Sequence, residues 1–200
     1  MLERITKTHL MEETFVENKD YDKTDFKACP LKKGDYENCT FSQCDFLNTD
    51  LSEIKFIECE FTGCNLSLVK TNSTVFRDSR FKGCKMLGVR FDNCSKFGLG
   101  FSFENCILDD SSFYQTKIRK TIFRNCQLKA TDFTDCDMES CIFDNCNLAG
   151  AKFENTILAK ADLRSSYNYS IDPEMNRIKK ARFSLPGIAG LLDKYDIKIE

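Results

Sequence analysis

The residues best equipped for chemistry are twelve cysteines: Cys29, Cys39, Cys44, Cys59, Cys64, Cys84, Cys94, Cys106, Cys126, Cys136, Cys141 and Cys146. Thiols in such number can form a disulfide framework, hold a soft metal or cycle in redox chemistry. Structural zinc calls for closely spaced pairs joined by histidines. No C-x-x-C pair occurs, and the single histidine, His9, lies in an irregular N-terminal stretch. A second chemical candidate is Gly98-Leu99-Gly100. A phosphate loop needs a further glycine, a lysine and a following amphipathic helix, and none is present. No nucleophile–base pair, metal set or cofactor fingerprint emerges. The expectation is therefore a non-enzyme with no catalytic residues, no metal and no cofactor.

The cysteines obey a different rule. From Thr121 to Ser165 the chain divides into TIFRN, CQLKA, TDFTD, CDMES, CIFDN, CNLAG, AKFEN, TILAK and ADLRS. Each block has a small residue first and Phe, Leu or Met third. From Thr24 the same blocks run through VRFDN at residues 89–93, with Thr71 the one polar third residue. Every cysteine takes the small first position. A helix repeats its apolar residues at three and four, a strand at two. A period of five is odd, so the chain must turn once per block to keep each small–large pair facing inward. Regular turning in one sense makes a solenoid.

The number of sides is also legible. Cys44, Cys64 and Cys84 step by twenty, as do Cys106, Cys126 and Cys146, and the Phe41, Phe61, Phe81 series does likewise. Four blocks therefore make one coil. Between the two series the register slips by two residues, which places a short insertion within residues 94–101, where Gly98 and Gly100 let the backbone bulge. Coils stack at about 4.8 Å. Cysteines stacked at that spacing, behind no secretory signal, read as small buried hydrophobes rather than disulfides. All twelve are expected to be buried and reduced. A hydroxyl replacing Cys126 is expected to lack a partner.

The pattern resembles the pentapeptide-repeat family, A-(D/N)-L-x-x, over roughly residues 23–165 and again at 176–185. That resemblance implies an all-β fold: a right-handed, four-sided (quadrilateral) parallel β-helix solenoid. Residues 1–20 read as a lead-in or cap and 21–183 as the β-helix. A polar excursion is expected near 166–176, containing Asp172-Pro173, and 184–200 form a C-terminal element. In that element Ile188, Leu191 and Leu192 have helical spacing, and the residues after Lys194 alternate like a strand. Such an apolar cap suggests self-association. Ile188, Leu191, Leu192, Tyr195, Ile197 and Ile199 are its candidate contacts.

A long rod with this tail is similar to the Qnr, MfpA and McbG group within the family. The group's properties imply a homodimer joined tail to tail. They also imply a DNA mimic that binds DNA gyrase or topoisomerase IV and protects it from quinolone-type poisons. The departures are a basic middle and the lack of sizeable loops. Residues 1–60 carry fourteen acids against eight bases, 61–130 five against twelve, and 131–200 twelve against nine. Asp132, Asp135, Asp137, Glu139 and Asp144 are the candidate phosphate substitutes. The alternative is an interaction scaffold for another protein. A net charge of −2 favours neither nucleic acid nor any other partner class. The absence of a long apolar run and of a signal-like N-terminus points to a cytoplasmic protein that contacts no membrane.

Overall fold

The computed structural model describes residues 14–198. They form an all-β parallel solenoid of about seven turns. Strands occupy two of its four faces. On the first face, β1 (Thr14–Glu17), β3 (Gly34–Glu37), β5 (Lys55–Ile57) and β7 (Val75–Arg77) pair in that order. We call it the Tyr36 face. On the second, the Phe41 face, β2 (Asp20–Asp22), β4 (Thr40–Ser42), β6 (Glu60–Thr62), β8 (Ser79–Lys82), β9 (Phe101–Glu104), β10 (Ile122–Arg124) and β11 (Ile142–Asp144) run in sequence. All pairs are parallel and in register, so Tyr36 lies over Phe56 and Phe41 over Phe61. The other two faces are joined by single bridges such as Asp25 to Asp45 and Asp132 to Lys152.

The turn between faces is made by the fifth residue of each block. Asn48, Asn125, Ala130, Lys120 and Leu68 all adopt left-handed φ, between 52° and 61°. That region costs an L-residue roughly 1–2 kcal/mol, with Asn and Asp the best tolerated after glycine. Asparagines at one corner offset this by hydrogen bonding along the rod. Asn145 Nδ2 donates to Asn125 Oδ1 (2.9 Å), and Asn125 Nδ2 donates to Asn105 Oδ1 (3.1 Å).

Inward third positions make columns of rings. Phe41, Phe61, Phe81, Phe103, Phe123 and Phe143 stack with centroids 4.7–5.3 Å apart and planes within 15°. Rings from adjacent faces meet edge-on, as Phe113 and Phe123 do at 89°. Both are favoured aromatic geometries.

The two-residue insertion falls where expected. Phe81 pairs with Phe103 and Ser79 with Phe101, a step of twenty-two. The Tyr36-face sheet ends at β7, and beyond the insertion only bridges continue it, from Lys117 to Asp137 to Ile157. The insertion supplies no third-position side chain to the core. Phe101, in a first position that is otherwise small, fills that space with its ring 5.3 Å from Phe91 and 5.1 Å from Phe103. Gly98 adopts φ 74°, and a Cβ on Gly100 would lie 3.2 Å from the Asp78 nitrogen.

Two expectations need correction. Eleven cysteines are buried, but Cys29, near the first coil, is exposed. A hydroxyl in the thiol position does have an acceptor. Cys64 Sγ donates to the Phe41 carbonyl (3.2 Å), while Thr74 and Ser166 hydroxyls make the equivalent bond to Leu51 and Phe143 (both 2.7 Å). Cys126 itself donates to the Arg124 carbonyl (3.2 Å). Residues 166–176, expected as a polar excursion, keep the coil's register at both ends. Tyr167 bridges Asn147 and Arg177 bridges Ile157, so the twenty-residue step persists. What changes there is the filling: Asn168 turns left-handed (φ 60°) and Tyr169 is buried.

Burial pushes the Cys59, Cys94 and Cys136 thiols up to about 12, so they stay protonated and unreactive at neutral pH. Titration with an aromatic disulfide reagent should therefore label one thiol quickly in the native protein, and all twelve after denaturation. Fast labelling of several native thiols would contradict this burial. In guanidinium unfolding, Phe123→Ala should cost about 3–5 kcal/mol by opening the ring stack. Cys126→Ser should cost under about 1 kcal/mol, since the hydroxyl inherits a carbonyl acceptor. Equal losses would overturn this account of the core.

Candidate interaction surfaces

A filled interior leaves only the outer faces and the two ends for function. Along the faces, second, fourth and fifth block positions point outward, and the solenoid stacks them in columns. Along one such column the sign alternates from coil to coil. The fourth-position column of the Phe41 face reads Lys82, Glu104, Arg124, Asp144, Arg164, with Arg124 3.2 Å from Asp144.

The five candidate acids do not share one side. Asp132 belongs to the face after Leu128, Asp135 to the next corner, Asp137 and Glu139 to the Tyr36 face, and Asp144 to the Phe41 face. Asp137 and Glu139 come together, but between cations. Arg119 lies 2.7 Å from Asp137 and 3.4 Å from Glu139, and Lys160 lies 2.7 Å from Glu139. Lys160 holds the Glu139 carboxyl below its ordinary value. Asp132 accepts the Thr134 backbone N–H (2.9 Å), and Asp135 accepts from Gln115 (3.4 Å). These acids fold the corners and bind neighbouring coils as much as they face solvent.

At the C-terminal end the chain forms two short 3-10 helices, Pro186–Leu191 and Asp193–Tyr195. The first lies tightly on Tyr169. A Cβ on Gly187 would sit 2.0 Å from the Tyr169 hydroxyl, and one on Gly190 2.1 Å from its carbonyl oxygen. Gly190 also accepts the Ile171 N–H (2.8 Å). Lys194 lies 2.7 Å from both Asp172 and Glu174, and the Tyr195 hydroxyl donates to Glu174 (3.0 Å). The hydrogen bonds to Asp172 and Glu174 hold the Lys194 ammonium above its ordinary value.

The candidate self-association residues divide. Leu191 packs against the core and Leu192 is half-buried, whereas Ile188, Tyr195 and Ile197 are exposed. Ile199 lies outside the described residues. The expected strand after Lys194 is not formed among the described residues. Asp196 takes left-handed φ (48°) and turns the chain just where extension should continue. The two most exposed large apolar residues escaped the sequence reading: Leu185 at this end (84% exposed) and Phe97 on the insertion (89% exposed). Leu185 stands in a block's fifth, outward position, which could have flagged it.

Among the described residues no group of three or more His, Cys, Asp or Glu side chains could hold a metal ion. No helix there is long and apolar enough to cross a membrane.

Comparison with known proteins places this geometry. The family model described as pentapeptide repeat region matches residues 34–96 and 100–172, the gap falling on the insertion. No curated protein sequence matches the chain. Among solved structures, HetL, a pentapeptide repeat protein involved in heterocyst differentiation regulation in the cyanobacterium Nostoc sp. strain PCC 7120, is similar at 15% identity. That match covers 86% of this chain and 85% of HetL, with a TM-score of 0.54. Full-length QnrB1, a plasmid-mediated fluoroquinolone resistance protein, is similar at 16% identity over 92% of this chain and 100% of its own, with a TM-score of 0.46. Identities this low speak to fold alone. With well over half its length matched by the family model, and with four-block coils built as described, the chain belongs to the pentapeptide-repeat family.

Proposed function

We propose that this protein is a non-enzymatic binding rod, an interaction scaffold that presents its outer faces to a protein partner. The observation that carries this reading is the filled interior. The Phe41-to-Phe143 and Cys44-to-Cys146 columns run along the axis with at most 1% exposure at each member, so among the described residues no deep pocket opens along them for a substrate. The mixed signs on the outer faces favour a partner with a mixed surface over a nucleic acid.

The C-terminal end is the proposed homodimer contact. Ile188, Tyr195 and Ile197 are exposed there beside half-buried Leu192, and Leu185 adds to the apolar surface. Leu191 holds the element to the rod, and Ile199 is retained as part of the same contact. A two-fold interface uses this patch on both copies and doubles the rod. Light scattering at micromolar concentration should give twice the chain mass of 23.1 kDa. Removal of residues 185–200 should give monomer or aggregate with a β-rich circular dichroism spectrum. A full-length monomer at that concentration overturns the contact.

A narrower reading takes the partner to be a bacterial type II topoisomerase, with the rod lying in the DNA gate as a mimic. The long unbroken rod and its apolar end favour it. The paired, scattered acids weigh against it, because a mimic should present continuous negative charge. The test is supercoiling by the host's gyrase, with and without ciprofloxacin, across protein concentrations. Inhibition or drug rescue that Asp132→Lys, Asp135→Lys and Asp137→Lys together abolish would support mimicry. No effect on gyrase or topoisomerase IV at tens of micromolar leaves the general scaffold reading.

A further inference from the structure

On the Tyr36 face the outward charges segregate by sign along the rod, and most lack an ion-pair partner among the described residues. Towards the N-terminus these are Glu17, Glu37 and Glu58; beyond them come Lys96, Lys117 and Lys120. Arg77 and Asp78 stand together between the two groups, on the Phe76 level. All but half-buried Glu37 are exposed. The same face carries Phe97, the most exposed large apolar side chain described, with half-buried Ile57 two levels before it.

We propose that this face is a lateral docking surface for a second copy of this chain, lying antiparallel. The argument is one of register. Levels of the solenoid repeat at about 4.8 Å in both copies. A two-fold axis through the Phe76 level therefore sets every level opposite its mirror-numbered counterpart. At the axis itself each residue faces its own counterpart, so Arg77 and Asp78 meet the same pair of the second copy and each reaches the opposite charge diagonally. One level away, Glu58 meets Lys96, and Phe97 lies over Ile57. Two levels away, Glu37 meets Lys117 and Lys120. Three levels away, Glu17 falls opposite Asp137 and Glu139, whose charge Arg119 and Lys160 already offset. No shift by one level keeps all three sets of opposite charge aligned. The parallel arrangement sets like charge on like. The occupant the face fits is thus its own copy rather than an unrelated anion, which would leave the acidic levels without partners.

This contact uses a side of the rod, so it is independent of the C-terminal end. Its signature is a mass that doubles, relative to the high-salt value, as salt falls from about 500 mM to about 20 mM, since the screening length grows from about 4 Å to about 20 Å over that range. Light scattering and sedimentation of the full chain read it directly. Lys96→Glu, Lys117→Glu and Lys120→Glu together should weaken the low-salt association by roughly a hundredfold. Adding Glu37→Lys and Glu58→Lys should restore most of it, with circular dichroism confirming the fold in each variant. Phe97→Ser should weaken it by roughly tenfold without changing its salt response. A mass that ignores salt, an association that survives the triple reversal, or a failure of the compensating pair to rescue would each overturn the proposal.

Discussion

Everything in this molecule depends on one closure condition: four blocks of five residues must bring the backbone back above itself. When they do, backbone N–H groups find carbonyls on adjoining coils, as Phe46 finds Asn65 (2.8 Å) and Phe133 finds Lys152 (2.9 Å). The same closure sets ring over ring and thiol over thiol. It is met by a left-handed residue at nearly every corner, so backbone strain is distributed along the whole rod rather than held at one site. The strain is tolerated because the coils on either side hold each corner in place.

That closure also explains the polar chemistry of a core that looks apolar. Many small first positions face a carbonyl of the preceding coil, so Cys, Ser and Thr are equivalent there in geometry and differ in how strongly they donate. Ser79 donates to Phe56 and Cys84 to Phe61 at the same 3.2 Å. Cysteine is present as a compact, weak donor. Its size suits the narrow space the solenoid leaves at that position.

Much of the fold was legible because the five- and twenty-residue periods are covalent facts, and the insertion was legible as a slip between two counts. The corners were not. Leu68, Lys120 and Ala130 turn left-handed with no residue preference to announce it. Nor could the sequence show which faces would hold true strands, since all four share the same block pattern. At the end, Ile188, Leu191 and Leu192 predicted helical spacing correctly, but the tight 3-10 form follows from Gly187 and Gly190 pressing on Tyr169. The acids were visible individually, and their cations were not, because Arg119 and Asp137 are neighbours only through the coil. Outward function is hard to read for the same reason: adjacency on the surface is set by a step of twenty.

The insertion filled by Phe101 has a bearing on how such a chain finds its place. A perfectly periodic solenoid can close with a whole coil skipped and still satisfy most of its bonds, because each level resembles the next. Here one level is two residues longer, and one bulky ring fits only the gap that this level leaves. A strand that slipped by a coil would carry Phe101 into a site already occupied by a third-position side chain. The odd level thus works as an index mark, giving a repetitive molecule one address from which every other level is counted.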